Sequence, residues 1–281
     1  MTMQAVKATD ERFRAAVETL RVPAMGTDAV APLLYALLKL VRPQRVLEVG
    51  MGYTTPFLAS ALSEIAEETQ VQAHALAAKT RPYLDGGTPL DDEWMYGAPA
   101  LLAPEFYTST YRPRLVAVDD LSIPESSSPR VWEVLRELGL ADLVTVVNAE
   151  LRQCDRHFPA DFTPIDLAWV DAWECLYFLD NFWDLIDPDG GLVVMHYLMT
   201  YPEGESVLRY VSAQQQLRPG EFEVVNLLEP HKLSQNSLTI LRRTSGVVPR
   251  KYAKPGARMD YERLRSQAEA QAVAHADRSG G

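Results

Sequence analysis

From Arg45 onward the chain alternates between two kinds of segment, and that order limits its folds more than any other feature. RVLEVG, RLVAVDD, LVTVVNA, IDLAWVDA and GGLVVMHY are short, apolar and rich in β-branched residues. Between them lie TTPFLASALSEIAEE, SSPRVWEVLRELG, ELRQCDRHF and CLYFLDNFWDLI, which carry apolar residues at helical spacing. Strands separated by helices pair in parallel through crossovers, so the order predicts βαβ units in an α/β, doubly wound, mostly parallel sheet. EFEVVNLLEP and SLTILRR follow a further helix near Glu205 to Gln216 and are joined by a short turn, which predicts an antiparallel hairpin at one edge. That brings the sheet to seven strands. Ahead of it, apolar residues at Phe13, Ala16, Val17 and Leu20 and at Leu33, Leu34, Leu37 and Leu38 predict two helices, the second capped by Thr27 or Asp28.

Three divisions follow: N-terminal helices over 1–44, the α/β domain over 45–244, and a polar tail over 245–281 with one surface helix near Asp260 to Ala274. An insertion at 69–113 breaks the alternation, being far longer than a strand connection requires. It combines Pro82, Gly86, Gly87, Pro89, Pro99 and Pro104 with Trp94, Tyr96, Phe106, Tyr107 and Tyr111. That many rings argues against disorder. The expectation is an aromatic lid over an acceptor pocket, a contact with a second copy of the chain in a homo-oligomer, or a cover for a sheet edge.

Charge and cysteine usage narrow the partners. Lys and Arg total 27 against 38 Asp and Glu, a formal charge of -11, so a polyanion is repelled and nucleic acid is not an expected partner. Cys154 and Cys175 build neither a disulfide framework nor a zinc knuckle, which fits free buried thiols in a cytoplasmic protein. The apolar run from Ala29 to Val41 is interrupted by Pro32 and Lys39 and falls short of the ~20 residues that span a bilayer, so no membrane association is expected.

The string RVLEVGMGYTTPFLASAL carries the functional signal. A buried strand ends in Glu48, Val49, Gly50, Met51 and Gly52, and a helix starts near Thr54. Glycines there admit a ligand close to the backbone, and the helix N-terminus beyond offers unpaired N–H groups to a carboxylate or phosphate. A dinucleotide fingerprint would place a third glycine where Thr55 stands.

Taken with the later strand ends, this pattern resembles the class I S-adenosylmethionine-dependent methyltransferases, especially the small-molecule O-methyltransferases. The matching positions are Glu48, Gly50 and Gly52; Asp119 in LVAVDD; Asn148 and Ala149 in VVNAEL; and Asp171 and Ala172 in LAWVDA, over roughly Ala29 to Arg243 apart from the insertion. The resemblance implies a Rossmann-like fold, S-adenosylmethionine as cofactor, and methyl transfer to a small-molecule acceptor, at oxygen in preference to nitrogen, in secondary metabolism. It implies that Gly50 to Thr54 face the methionine part and that Asp119, with Asp120 as second choice, accepts the ribose hydroxyls. By the same resemblance Asn148 and Ala149 border the adenine and Asp171 lies beside the reacting methyl. Helix capping by Asp119 and a turn role for Asn148 are the structural alternatives.

One position departs from the metal-dependent, catechol-type members. They carry Asp-Asn at the end of the fifth strand, where this chain has His196 and Tyr197, so the oxygen set that magnesium wants is incomplete and no metal is expected. His196 is then a general base or acceptor-orienting group beside Asp171, with a metal ligand or a core histidine as alternatives. An imidazole of ordinary pKa, about 6.5, takes up a proton far more readily near neutral pH than a carboxylate does. A nicotinamide-dependent oxidoreductase and a non-catalytic binding module of the same fold are the competing readings. The first is weakened by Thr55 and by the want of a Tyr-x-x-x-Lys pair after the fourth strand.

Overall fold

The computed structural model describes residues 6–23, 25–98, 111–124, 126–244 and 261–279. The seven-stranded sheet comprises β1 (Arg45–Val49), β2 (Arg114–Asp119), β3 (Val144–Asn148), β4 (Leu167–Val170), β5 (Leu192–His196), β6 (Phe222–Leu228) and β7 (Ser237–Arg243). Its order is β3-β2-β1-β4-β5-β7-β6. The first five strands are parallel, and β7 runs antiparallel to both β5 and β6. The mixed sheet with its terminal hairpin is the one the sequence predicts. Strand order reverses on either side of β1, so the crevice outside the carboxyl ends of β1, β2 and β4 is the place where open α/β sheets take ligands.

Helices α1 (Glu11–Glu18) and α2 (Thr27–Val41) precede the sheet, α3 (Thr55–Asp85) and α4 (Asp92–Tyr96) follow β1, and α5 (Ser128–Glu137) follows β2. Helix α6 (Cys175–Phe182) follows β4, α7 (Pro202–Leu217) follows β5, and α8 (Tyr261–Ser279) lies in the C-terminal tail. Strands β4 and β5 are buried along their whole length, consistent with helices on both faces. The core gathers Leu47, Val116, Ala168, Val193 and Leu241 from the strands, Phe178 from α6 and Phe162 from the loop before β4. Among the described residues no helix is long and apolar enough to cross a membrane. Both cysteines are buried free thiols, and burial raises each to about 12, which leaves them inert.

Four local expectations are corrected. The N-cap of α2 is Gly26, in the left-handed region at φ 75°, and neither Thr27 nor Asp28 caps it. ELRQCDRHF forms a 3-10 segment, Leu151–His157, in place of an α-helix. Helix α3 does not stop near Glu68 but continues to Asp85, because the Ala-rich stretch after Thr69 is a strong helix former. The hydroxyls of Thr69 and Thr80 bond the carbonyls of Ile65 and Leu76, so these polar side chains are accommodated within the helix. In the tail, α8 is not wholly a surface helix, since Ala268 and Ala272 are buried.

The chain divides into two compact units, residues 1–63 with 113–251, and residues 64–112 with 252–281. The first contains the whole sheet. In the second, Leu76, Leu90, Trp94, Met95 and Ala268 form a separate core, with Trp94 Nε1 donating to Thr80 Oγ1 at 3.2 Å. Residues 99–110 of the insertion, including Pro99, Pro104, Phe106 and Tyr107, lie outside the described residues.

Candidate active site

At the end of β1 the backbone turns sharply at Gly50, with φ 93°. A Cβ there would lie 2.7 Å from the Asp171 carbonyl oxygen, so only glycine lets β1 and β4 close at this point. Beyond it, Met51 N–H donates to Asp119 Oδ2 at 2.9 Å and Ser127 Oγ donates to the Met51 carbonyl at 2.9 Å. Ser126 Oγ donates to the other carboxylate oxygen of Asp119 at 3.0 Å. The glycine loop is therefore fixed from the end of β2, and each oxygen of Asp119 keeps a further lone pair for a ligand. Gly52 N–H donates to Thr55 Oγ1 at 3.0 Å, and Thr55 is fully buried.

Beneath the loop Glu48 has no solvent exposure. Thr54 Oγ1 donates to Glu48 Oε1 at 2.6 Å and accepts from Trp169 Nε1 at 3.2 Å, which links β1, the start of α3 and β4. Glu48 Oε2 has no partner among the described residues. Burial, opposed by the Thr54 and Thr55 hydroxyls and reinforced by the negative charges of Asp171 and Asp119, raises the Glu48 carboxyl to about 8. Such an orphaned oxygen costs about 1–3 kcal/mol unless a ligand donor meets it.

At the ends of β4 and β5, His196 Nδ1 lies 3.1 Å from Asp171 Oδ1, and the histidine is 1% exposed. A carboxylate can only accept, so neutral His196 carries its hydrogen on Nδ1 and keeps a lone pair on Nε2. That nitrogen is buried without a partner among the described residues. The Trp169 ring lies 5.8 Å from the imidazole and the Tyr197 ring 5.2 Å from it. Trp173, Tyr197 and Tyr201 pack edge to face or tilted, with centroids 5.3–5.6 Å apart, leaving Trp173 66% exposed.

No protein-family model and no curated protein sequence matches the chain. Solved structures do. TomG of Streptomyces achromogenes, an O-methyltransferase involved in tomaymycin synthesis and solved with S-adenosylmethionine, is 18% identical with a TM-score of 0.53, the match covering 86% of this chain and 92% of that one. The Bacillus cereus O-methyltransferase in complex with S-adenosylhomocysteine is 14% identical at 0.53, over 84% and 92% of the two chains. The S-adenosylhomocysteine-bound methyltransferase PaMTH1 of Podospora anserina is 14% identical at 0.52, over 84% and 89%. The fold is that of the class I methyltransferases.

Placed in the class I methyltransferase fold, the residues singled out by sequence fall into two groups. Glu48, Gly50, Gly52, Thr54 and Asp119 converge on the glycine loop, and Asp171 with His196 forms the pair at the adjoining strand ends. Asn148 is the register partner of Asp119 across β2 and β3, and its Oδ1 accepts the Leu121 N–H at 3.0 Å, a turn-serving bond. Ala149 follows it, with its N–H bonded to the Asp119 carbonyl. Among the described residues no three His, Cys, Asp or Glu side chains gather as a metal set. Ser126, Ser127, Trp169, Gly26 and Gln235 escape the sequence reading, and Thr55 enters it only as the residue in place of a third glycine. The hydroxyl pairs Thr54-Thr55 and Ser126-Ser127 flank the motif in plain view, whereas Trp169 reads as an ordinary core residue of an apolar strand.

Proposed function

We propose that this chain transfers the methyl group of S-adenosylmethionine to a small-molecule acceptor, oxygen being preferred. The observation that carries the reading is the glycine crevice at the strand reversal, floored by a buried carboxyl with one oxygen unsatisfied. The residues present suit the cofactor. Glu48 Oε2 lacks a partner among the described residues and, once the carboxyl gives up its proton, accepts from an ammonium group, and Asp119 retains lone pairs for two ribose hydroxyls. When bound, the cofactor supplies an electrophilic methyl on a sulfonium.

The chain's own work is then to align the acceptor and receive a proton. His196 Nε2 holds the lone pair for that proton, and Asp171 fixes the tautomer and steadies the imidazolium that results. A nicotinamide nucleotide is disfavoured by Thr55, which is buried and bonded to Gly52 N–H where a dinucleotide site wants glycine. Placement of the acceptor in secondary metabolism is supported by the likeness to TomG, and a cytoplasmic location by the two free thiols.

Isothermal calorimetry with S-adenosylmethionine tests the reading. Asp119→Ala is expected to weaken binding ten- to a hundredfold, the consequence of losing charged hydrogen bonds worth about 1.5–3 kcal/mol. Ser126→Ala breaks one tie to Asp119 and leaves its carboxylate, so it should weaken binding much less. Equal affinities in wild type and Asp119→Ala, or a nicotinamide nucleotide released on denaturing the purified protein, would overturn the proposal.

A further inference from the structure

Gln235 lies in the turn between β6 and β7, where its backbone is held in the left-handed region at φ 51°. Its side-chain nitrogen donates to the Tyr201 hydroxyl at 3.4 Å, which leaves the amide oxygen to face elsewhere. Oε1 is buried without a partner among the described residues, as is His196 Nε2. Gly26 brings the two side chains to one place: a Cβ on it would lie 2.6 Å from Gln235 Cβ and 3.4 Å from His196 Cε1. With Nδ1–H committed to Asp171, both orphaned atoms are hydrogen-bond acceptors, and both adjoin the cluster of Tyr197, Tyr201 and Trp173. Two neighbouring buried acceptors with nothing to accept are costly, at about 1–3 kcal/mol each, until a ligand supplies donors to both.

We propose that Gln235 is a specificity-determining residue of the acceptor site, and that with His196 it selects an aromatic acceptor bringing two donor hydrogens. This rests on the methyl-transfer reading. One hydrogen donates to His196 Nε2 and the other to Gln235 Oε1, while the acceptor ring packs on the aromatic cluster. The two hydrogens sit on one nitrogen or on neighbouring hydroxyls. In either case an acceptor lone pair forms the new bond to the methyl carbon, the carbon–sulfur bond breaks with its electrons left on sulfur, and one hydrogen passes to His196 as a proton. The second stays bound to the acceptor, held by Gln235. The Gly26 turn packs against both side chains and is held by Lys232, which donates to the Gly26 carbonyl at 3.4 Å.

The test is direct binding of three arenes, measured by calorimetry with S-adenosylhomocysteine present: phenol with one donor, aniline with two on nitrogen, and 1,2-dihydroxybenzene with two on neighbouring oxygens. The wild type should bind one of the two-donor arenes at least about tenfold more tightly than phenol. Which one it prefers tells nitrogen from paired hydroxyls. Gln235→Met, close in shape and without hydrogen bonding, should erase that preference, so that the two-donor arenes bind no more tightly than phenol. Gln235→Glu keeps an acceptor oxygen and should retain the preference. Equal binding of all three arenes by the wild type, no binding of any at millimolar concentration, or a uniform loss in Gln235→Met would overturn the proposal. Failure of the methyl-transfer reading shows separately, as absence of S-adenosylhomocysteine binding, and the arene series is then read on the free protein.

Discussion

Glu48 is a carboxyl with no solvent exposure and one orphaned oxygen, and the consequence is a pH-dependent stability of definite sign. Its folded-state pKa stands near 8 against 4.5 for the free group, so the folded protein holds a proton that the unfolded chain gives up. The stabilisation is complete below the unfolded value and is lost as pH rises from there through 8, with a slope of about 1.4 kcal/mol per pH unit inside that window. Glu48→Gln keeps the shape and removes the titration. Its melting temperature should therefore fall less than that of the wild type between pH 5 and pH 8.5, and parallel profiles would show that the carboxyl does not titrate there. The neighbouring pair makes a second prediction. His196→Ala should lower methyl transfer about a hundredfold with little change in cofactor affinity, the usual scale of a general base. His196→Gln retains hydrogen bonding without basicity, so near-normal turnover in that variant would eliminate proton transfer and leave only orientation. Glu48, Asp119, Asp171 and His196 are legible in the sequence because each closes a recognisable strand. Gln235 and Gly26 are not: their roles come from a contact between turns more than two hundred residues apart in the chain, which no local pattern encodes.

At the scale of elements, strand periodicity is the dependable signal and helix endings are not. The five parallel strands and the final hairpin stand where the apolar runs place them. Helix α3 outruns its expected end because Pro82 and two glycines further on read as loop punctuation, while the alanines before them keep the helix going to Asp85. Once it does, Leu76 and Thr80 fall on the face that packs with Trp94 from α4, whose N-cap Asp91 accepts the Trp94 N–H at 2.9 Å. The insertion's aromatic content is thus partly explained by a core of its own. Trp94 is 1% exposed, with Lys79 Nζ 5.5 Å from its ring centroid. Trp94→Ala should therefore destabilise the second compact unit by about 3–5 kcal/mol. Hydrogen exchange resolved by segment should show faster exchange over residues 70–96 in that variant, with the strands β1 to β5 unchanged. Acceleration in the sheet as well would mean that the two units unfold together.

For the molecule as a whole the governing quantity is its charge of -11, and its consequence depends on the sign of what binds. The proposed cofactor carries a sulfonium and an ammonium against one carboxylate, a net positive charge, whereas the demethylated product has lost the sulfonium charge and is neutral overall. Asp119 and Asp171, whose charges already act on Glu48, belong to the same negative field around the crevice. A negative protein attracts the cofactor more strongly than the product, and salt screens that difference, since the screening length shrinks from roughly 10 Å at 0.1 M to about 3 Å at 1 M. Raising sodium chloride from 0.05 M to 0.5 M should weaken S-adenosylmethionine binding by a factor of roughly two to ten while changing S-adenosylhomocysteine binding much less. Calorimetry of both ligands at the two salt concentrations measures the ratio directly. An identical salt response for the two would mean that the long-range field plays no part in selecting the charged form, and that discrimination between cofactor and product lies wholly in short-range contacts around Glu48, Asp119 and Asp171.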